Sequence, residues 1–166
     1  MKFIAIGILL LTILANSIGC ATTPVIQVNN PFIEQDYVPF TKQGTGIING
    51  QAFLKTKGGD VKYGAGGTVY LIPVTEYTNE LMSKAIEKGG GFTTNMDYRL
   101  NNYIKKTIAD GEGKFDFKNI PSGEYYVGCQ IAWKYATQYG LRPTGGNIVK
   151  RVSLKEGESQ KVILTK

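Results

Sequence analysis

Apolar and polar positions alternate with period two through much of the second half of the chain. In the stretch TIADGEGKFDFKNIPSGEYYVGCQIAW, residues 107–133, the segment Lys114 to Lys118 alternates strictly and puts Phe115 and Phe117 on one face. Asp110-Gly111 and Glu112-Gly113 before it, and Asn119, Pro121, Ser122 and Gly123 after it, are turn residues. From Tyr125 onward the odd positions Tyr125, Val127, Cys129, Ile131 and Trp133 form the core face of a long central strand. The even positions Tyr126, Gly128, Gln130, Ala132 and Lys134 form the other face. Further strands are expected over Gly46–Thr56 and Thr68–Val74, and a last pair within Gly146–Lys166 turns at Glu156–Ser159. Asn49-Gly50 comes too early in its strand to be a hairpin, so Gly50 is expected to mark a bulge or a packing site. Gly58–Gly67 reads as a loop, and the Thr68–Val74 strand, apolar on both faces, should be covered on both.

One segment follows the helical period instead. Between Glu76 and Lys88, Tyr77, Leu81, Met82 and Ala85 make an apolar stripe, Glu80 and Lys84 are spaced as a favourable pair, and Gly89 is placed as a C-terminal cap. This helix is expected to cover the outer face of the Thr68–Val74 strand, with a ligand lid as the alternative. The 21 glycines and 10 tyrosines fit a domain rich in turns and strands.

The strand pattern resembles the carboxypeptidase regulatory-like (transthyretin-like, prealbumin-type) domains. The resemblance is carried by GIINGQAFLKTKGGDVKYGAGGTVYLIP and by Thr107, Asp110, Gly113, Phe115, Phe117, Ile120, Pro121, Gly123 and Tyr125, and runs from about Gly46 to Trp133. It implies an all-β fold, a prealbumin-like or Ig-like β-sandwich of about seven strands with one inserted short helix. The helix and the segment Gly89–Tyr103 look like an insertion relative to the shortest members. In that family the Thr107–Tyr125 segment is framework, so the resemblance implies a fold and no activity.

The N-terminus is an address. MKFIAIGILLLTILANSIGC has a positive Lys2, an apolar run from Phe3 to Leu14 and small residues before Cys20. Ser17-Ile18-Gly19-Cys20 resembles the lipobox of bacterial lipoproteins, with Ser17 standing where an aliphatic residue is usual. The resemblance implies that residues 1–19 are a signal peptide and that Cys20 becomes acylated, a palmitate-type membrane anchor. Several chains on one residue hold stably where one alone is marginal. Ala21, in place of an Asp, implies the outer membrane where the organism has one. The alternative is ordinary cleavage after Ala15-Asn16-Ser17 and a lipid-free periplasmic or secreted protein. Residues 20–45 carry Pro24, Pro31 and Pro39 without a clear period and are expected to be a tether. Its Phe32, Ile33, Tyr37, Val38 and Phe40 could dock on the domain formed by residues 46–166.

Charge and chemistry narrow the function. The net charge of +6 is scattered, with only Lys105-Lys106 and Lys150-Arg151 adjacent, which does not suit a nucleic-acid surface. The chain has no histidine. This excludes Ser-His-Asp and Cys-His nucleophiles, His-ligated metals, and the histidine chemistry of transthyretin relatives that hydrolyse 5-hydroxyisourate. No cofactor or metal is implied. Any acid-base chemistry would fall to groups such as Asp60, Asp97, Asp110 and Glu112, whose spacing indicates nothing. Cys129, on the core face, reads as a small buried hydrophobe. Trp133, Tyr135, Tyr139 and Arg142, where the long strand is expected to leave the sheet, are the candidate binding residues, since aromatics beside a cation stack on sugars or grip a protein. The same residues packing on the tether or the helix is the plainer reading. The expectation is therefore a non-catalytic envelope lipoprotein that binds another envelope protein or a surface polymer, or else a carbohydrate-binding module.

Overall fold

The computed structural model describes residues 27–87 and 96–166. The leader, Cys20, Ala21, Pro24 and the cap expected at Gly89 lie outside the described residues. No helix among the described residues is long and apolar enough to cross a membrane.

The fold is an all-β sandwich of eight strands in two four-stranded sheets. In the first sheet β1 (Gly46–Lys55) is central. It pairs antiparallel with β2 (Val61–Tyr63) and β5 (Lys114–Ile120), and parallel with β8 (Ser159–Leu164). The second sheet has the order β4 (Lys105–Ile108), β3 (Thr68–Pro73), β6 (Gly123–Thr137), β7 (Gly140–Leu154).

The inner faces meet in one core. Ile48, Ala52, Leu54, Phe115, Phe117, Val162 and Leu164 come from the first sheet. Val69, Leu71, Tyr125, Val127, Cys129, Ile131, Ile148, Val152 and Leu154 come from the second. Alternation along each strand thus turns directly into burial, as the odd positions from Tyr125 to Ile131 show. Gly50 is a packing site: an added Cβ would overlap the Val162 carbonyl oxygen and lie 2.7 Å from the Phe115 ring. The bulge in this strand lies elsewhere, between Gly46 and Ile48.

A second apolar cluster forms on the outer face of the second sheet. The helix α2 (Glu76–Glu87) lays Tyr77, Leu81 and Met82 over Ile72 and Tyr126, and Leu100 completes the cluster. Thr75 starts the helix by a reciprocal cap: its N–H donates to Thr78 Oγ1 at 2.8 Å, and Thr78 N–H donates to Thr75 Oγ1 at 3.3 Å. Phe32 and Tyr37 are buried in this cluster with their rings stacked at 4.6 Å, and Phe40 packs on the main core. Ile33 and Val38 point to solvent. Residues 38–41 form one turn of helix, α1. Glu80 accepts hydrogen bonds from the N–H groups of Asn29 and Asn30, and Lys84 donates to the Gln27 carbonyl.

The expected sandwich of about seven strands forms with eight, β4 pairing along β3 from Thr68↔Ile108 to Leu71↔Lys105. Three details differ from expectation. The Gly58–Gly67 loop contains β2, which pairs back on Phe53–Lys55. The inserted helix is joined by α1 and by two short 3-10 turns, Glu34–Tyr37 and Tyr98–Asn102. The long strand parts from β3 after Cys129 but does not end at Trp133. It continues to Thr137, turns through Gln138 and Tyr139, and pairs with β7 down to Thr137↔Gly140.

Candidate functional site

The strand register of the second sheet assembles a cleft on its outer face. β3 pairs with β6 only between Val69↔Cys129 and Pro73↔Tyr125. Beyond Cys129, β6 is paired on one side only, with β7, and the two strands run on as a ribbon. The space beside that ribbon, bounded by β3 and β4, is a cleft of about 800 Å³.

Its residues arrive in registered rows. Tyr70 lies opposite Lys106 on β4 and Gly128 on β6, and Gly128 lies opposite Val149 on β7. Direct partners across antiparallel strands share a face, so these four line one side of the sheet. Gly128 supplies the floor. A Cβ there would come within 2.9 Å of the Ile148 carbonyl oxygen and 3.1 Å of Val149 Cγ2, so a side chain would fill the cleft and crowd the ladder. One row further, Gln130 is the direct partner of Asn147, which sets two amide side chains side by side at the cleft wall.

The two ends of the cleft differ. Toward α2 it is apolar, with Ile72, Leu81, Met82, Met96 and Ile104. Toward the ribbon it is polar, with Thr68, Gln130 and Asn147, and the Tyr70 ring in the cleft is 37% exposed. The Lys106 ammonium stands 5.7 Å from the centre of that ring, within cation–π range. No carboxylate is among the cleft-lining residues. An aromatic face with neutral amides and one cation can stack on an apolar ring face, exchange hydrogen bonds with hydroxyls and attract an anion.

The residues expected to bind lie elsewhere. Trp133 and Tyr135 are odd positions, on the core side of the ribbon, whereas Gln130 and the cleft belong to the even side. Trp133 is half-buried against the main core rather than on the N-terminal segment or the helix. Tyr135 lies directly opposite Arg142 and is 50% exposed, and Tyr139 sits in the ribbon turn at 79% exposed. The structure therefore brings Tyr135 and Arg142 together and separates them from the cleft.

The candidate carboxylates are committed to local structure. Asp110 accepts from the N–H groups of Glu112 and Lys114 and so closes the β4–β5 turn. Glu112 pairs with Lys114, and Asp97 caps the Tyr98–Asn102 turn while holding Arg99 by two bonds of 3.0 and 2.7 Å. That guanidinium keeps the Asp97 carboxyl below its ordinary value. Asp60 is exposed, 4.0 Å from Lys62. No cluster of three potential metal ligands occurs among the described residues. Burial pushes the Cys129 thiol up to about 11.

Across most of its length the chain is similar to a solved structure. This is a Pseudomonas aeruginosa protein provisionally described as carbohydrate binding. The two share 28% identity and superpose with a TM-score of 0.74, over 84% of this chain and the whole of the other. No protein-family model matches the chain, and no curated protein does.

Proposed function

We propose that the chain is a non-catalytic carbohydrate-binding β-sandwich held at the cell envelope. The observation that carries the reading is the cleft whose lining combines the Tyr70 ring with the amides of Gln130 and Asn147 one row further along the sheet. Tyr70 offers its face to the C–H side of a sugar ring, and the amides serve the hydroxyls as both donors and acceptors. Neither Gln130 nor Asn147 has a side-chain hydrogen bond to another of the described residues that would compete. The similar Pseudomonas aeruginosa protein supports the same class of ligand. Acylation at Cys20 would fix the domain to a membrane, the outer one where the cell has two, and the sheet would present the cleft to a surface polymer. The framework is of the carboxypeptidase regulatory-like type, and binding rather than turnover is its task.

Titration of glycan oligomers into the wild-type protein and the Tyr70→Ala variant tests this. Tyr70→Ala should weaken binding about tenfold, with Tyr135→Ala unchanged. Binding by the wild type that is unaffected in Tyr70→Ala would move the site out of the cleft.

A second reading, an envelope-protein partner, is favoured by the ribbon. Tyr135, Tyr139 and Leu141 are exposed there, on the part of β6 and β7 and its turn that pairs with no other strand among the described residues. Under that reading Tyr139→Ala and Leu141→Ala would abolish capture of the partner by crosslinking in the envelope, and Tyr70→Ala would not.

A further inference from the structure

We propose that the sugars recognised in the cleft carry carboxylates, and that Lys106 is the residue that reads the acid; this rests on the carbohydrate reading above. Lys106 is placed by register, not by chance of a loop. It lies opposite Tyr70 in the β3–β4 ladder, and its ammonium stands 5.7 Å from the centre of the ring that would stack on the sugar. A uronic acid presents a flat C–H face for stacking and holds its carboxylate at the ring edge. A cation beside the aromatic platform meets that geometry.

The charge of Lys106 is uncompensated. All 13 Asp and Glu residues lie within residues 27–87 and 96–166, since residues 1–26 and 88–95 contain none. None of the 13 forms an ion pair with Lys106: the paired carboxylates Asp60, Glu80, Asp97, Glu112, Asp116 and Glu124 all hold other cations. The cleft lining adds no carboxylate either. An ordinary edge-strand lysine protects a sheet from pairing with another. Lys105 can serve that purpose from the alternate face of β4, leaving Lys106 to the cleft. A charge-assisted bond is about twice as strong as a neutral one, so a single ammonium suffices for preference. The overall charge of +6 adds long-range attraction for a polyanion.

The experiment uses the full mature chain and two matched probes. These are a panel of oligouronates (galacturonate, glucuronate and mannuronate) and the carboxyl-reduced neutral oligomer of each. Calorimetric titration at low and high salt should show at least one acid form binding about tenfold tighter than its reduced counterpart. Lys106→Gln should erase that difference, and Lys105→Gln should keep it. Equal binding of acid and reduced forms for every oligomer that binds overturns the inference while the carbohydrate reading stands. Loss of the preference in Lys105→Gln as fully as in Lys106→Gln also overturns it, because general attraction rather than a site would be acting. Binding by none of the oligomers, acid or reduced, removes both.

Discussion

The Tyr125 hydroxyl donates a 2.8 Å hydrogen bond to the carbonyl oxygen of Pro121, four residues upstream, and both are buried. The bond spans the turn between β5 and β6, in the manner of the tyrosine corners of other β-sandwiches. Burial raises the Tyr125 phenol well above its ordinary value, so it remains a donor at any accessible pH. Tyr125→Phe keeps the packing against Phe40 but strands the Pro121 carbonyl. It should cost about 1–2 kcal/mol, read as a lower urea midpoint with an unchanged slope. Glycan titration of the same variant should match the wild type, because the corner and the cleft lie on different faces.

Gly50 tests the packing of the first sheet. It lies between β8 and the Phe115 ring, with no room for a methyl group. Gly50→Ala should destabilise by about 1–3 kcal/mol or more, since backbone rather than a flexible side chain must move. Urea unfolding measures it. A variant as stable as the wild type would mean that β8 does not sit on β1 as described.

How far such features were legible depended on how local they are. Phe115 and Phe117 announce their face because period two is written within five residues. The apolar stripe of α2 was legible for the same reason, at period 3.6. The ribbon was not. The last strand pair was expected from Gly146, yet β7 already begins at Gly140 and includes Pro143 and Gly145, as an edge strand where a proline is tolerated and glycines let two backbones approach. Trp133, Tyr135, Tyr139 and Arg142, expected where the long strand leaves the sheet, lie along this ribbon and its turn. The cleft was hidden for a different reason. Tyr70 and Lys106 are far apart in sequence, as are Gln130 and Asn147, and only the pairing register joins them. A single exposed tyrosine in an apolar strand was the one local sign, and it was read as a position to be covered. α2 covers Ile72 in that strand and leaves Tyr70 at the cleft.

Cys129 should behave as a core atom. Its thiol is buried and its pKa is pushed up to about 11. At pH 8 the reactive thiolate is then about a thousandth of the total. In a Cys20→Ser variant, a thiol reagent should leave the native protein unlabelled for the time in which urea-unfolded protein reacts fully. Fast labelling of the native variant would place Cys129 at the cleft surface.

Glu80 gives the N-terminal segment a pH dependence. Its carboxylate accepts the N–H groups of Asn29 and Asn30 at 2.9 and 2.8 Å and pairs with Lys84 at 2.5 Å. The Lys84 bond first, and then the two backbone donors, lower its pKa from 4.5 to about 2. A carboxyl group with a depressed folded-state pKa binds its proton more readily when released, so its contribution is complete above about 4.5 and lost as pH falls through about 2. Glu80→Gln removes the charge at every pH. The variant should therefore be less stable than the wild type at pH 6, and the two should converge between pH 4.5 and pH 2. Hydrogen exchange at the Asn29 and Asn30 amides gives the local readout. Both should be protected at pH 6 in the wild type and exchange faster in Glu80→Gln. Equal protection in the two proteins would show that the segment is held by Phe32 and Tyr37 alone.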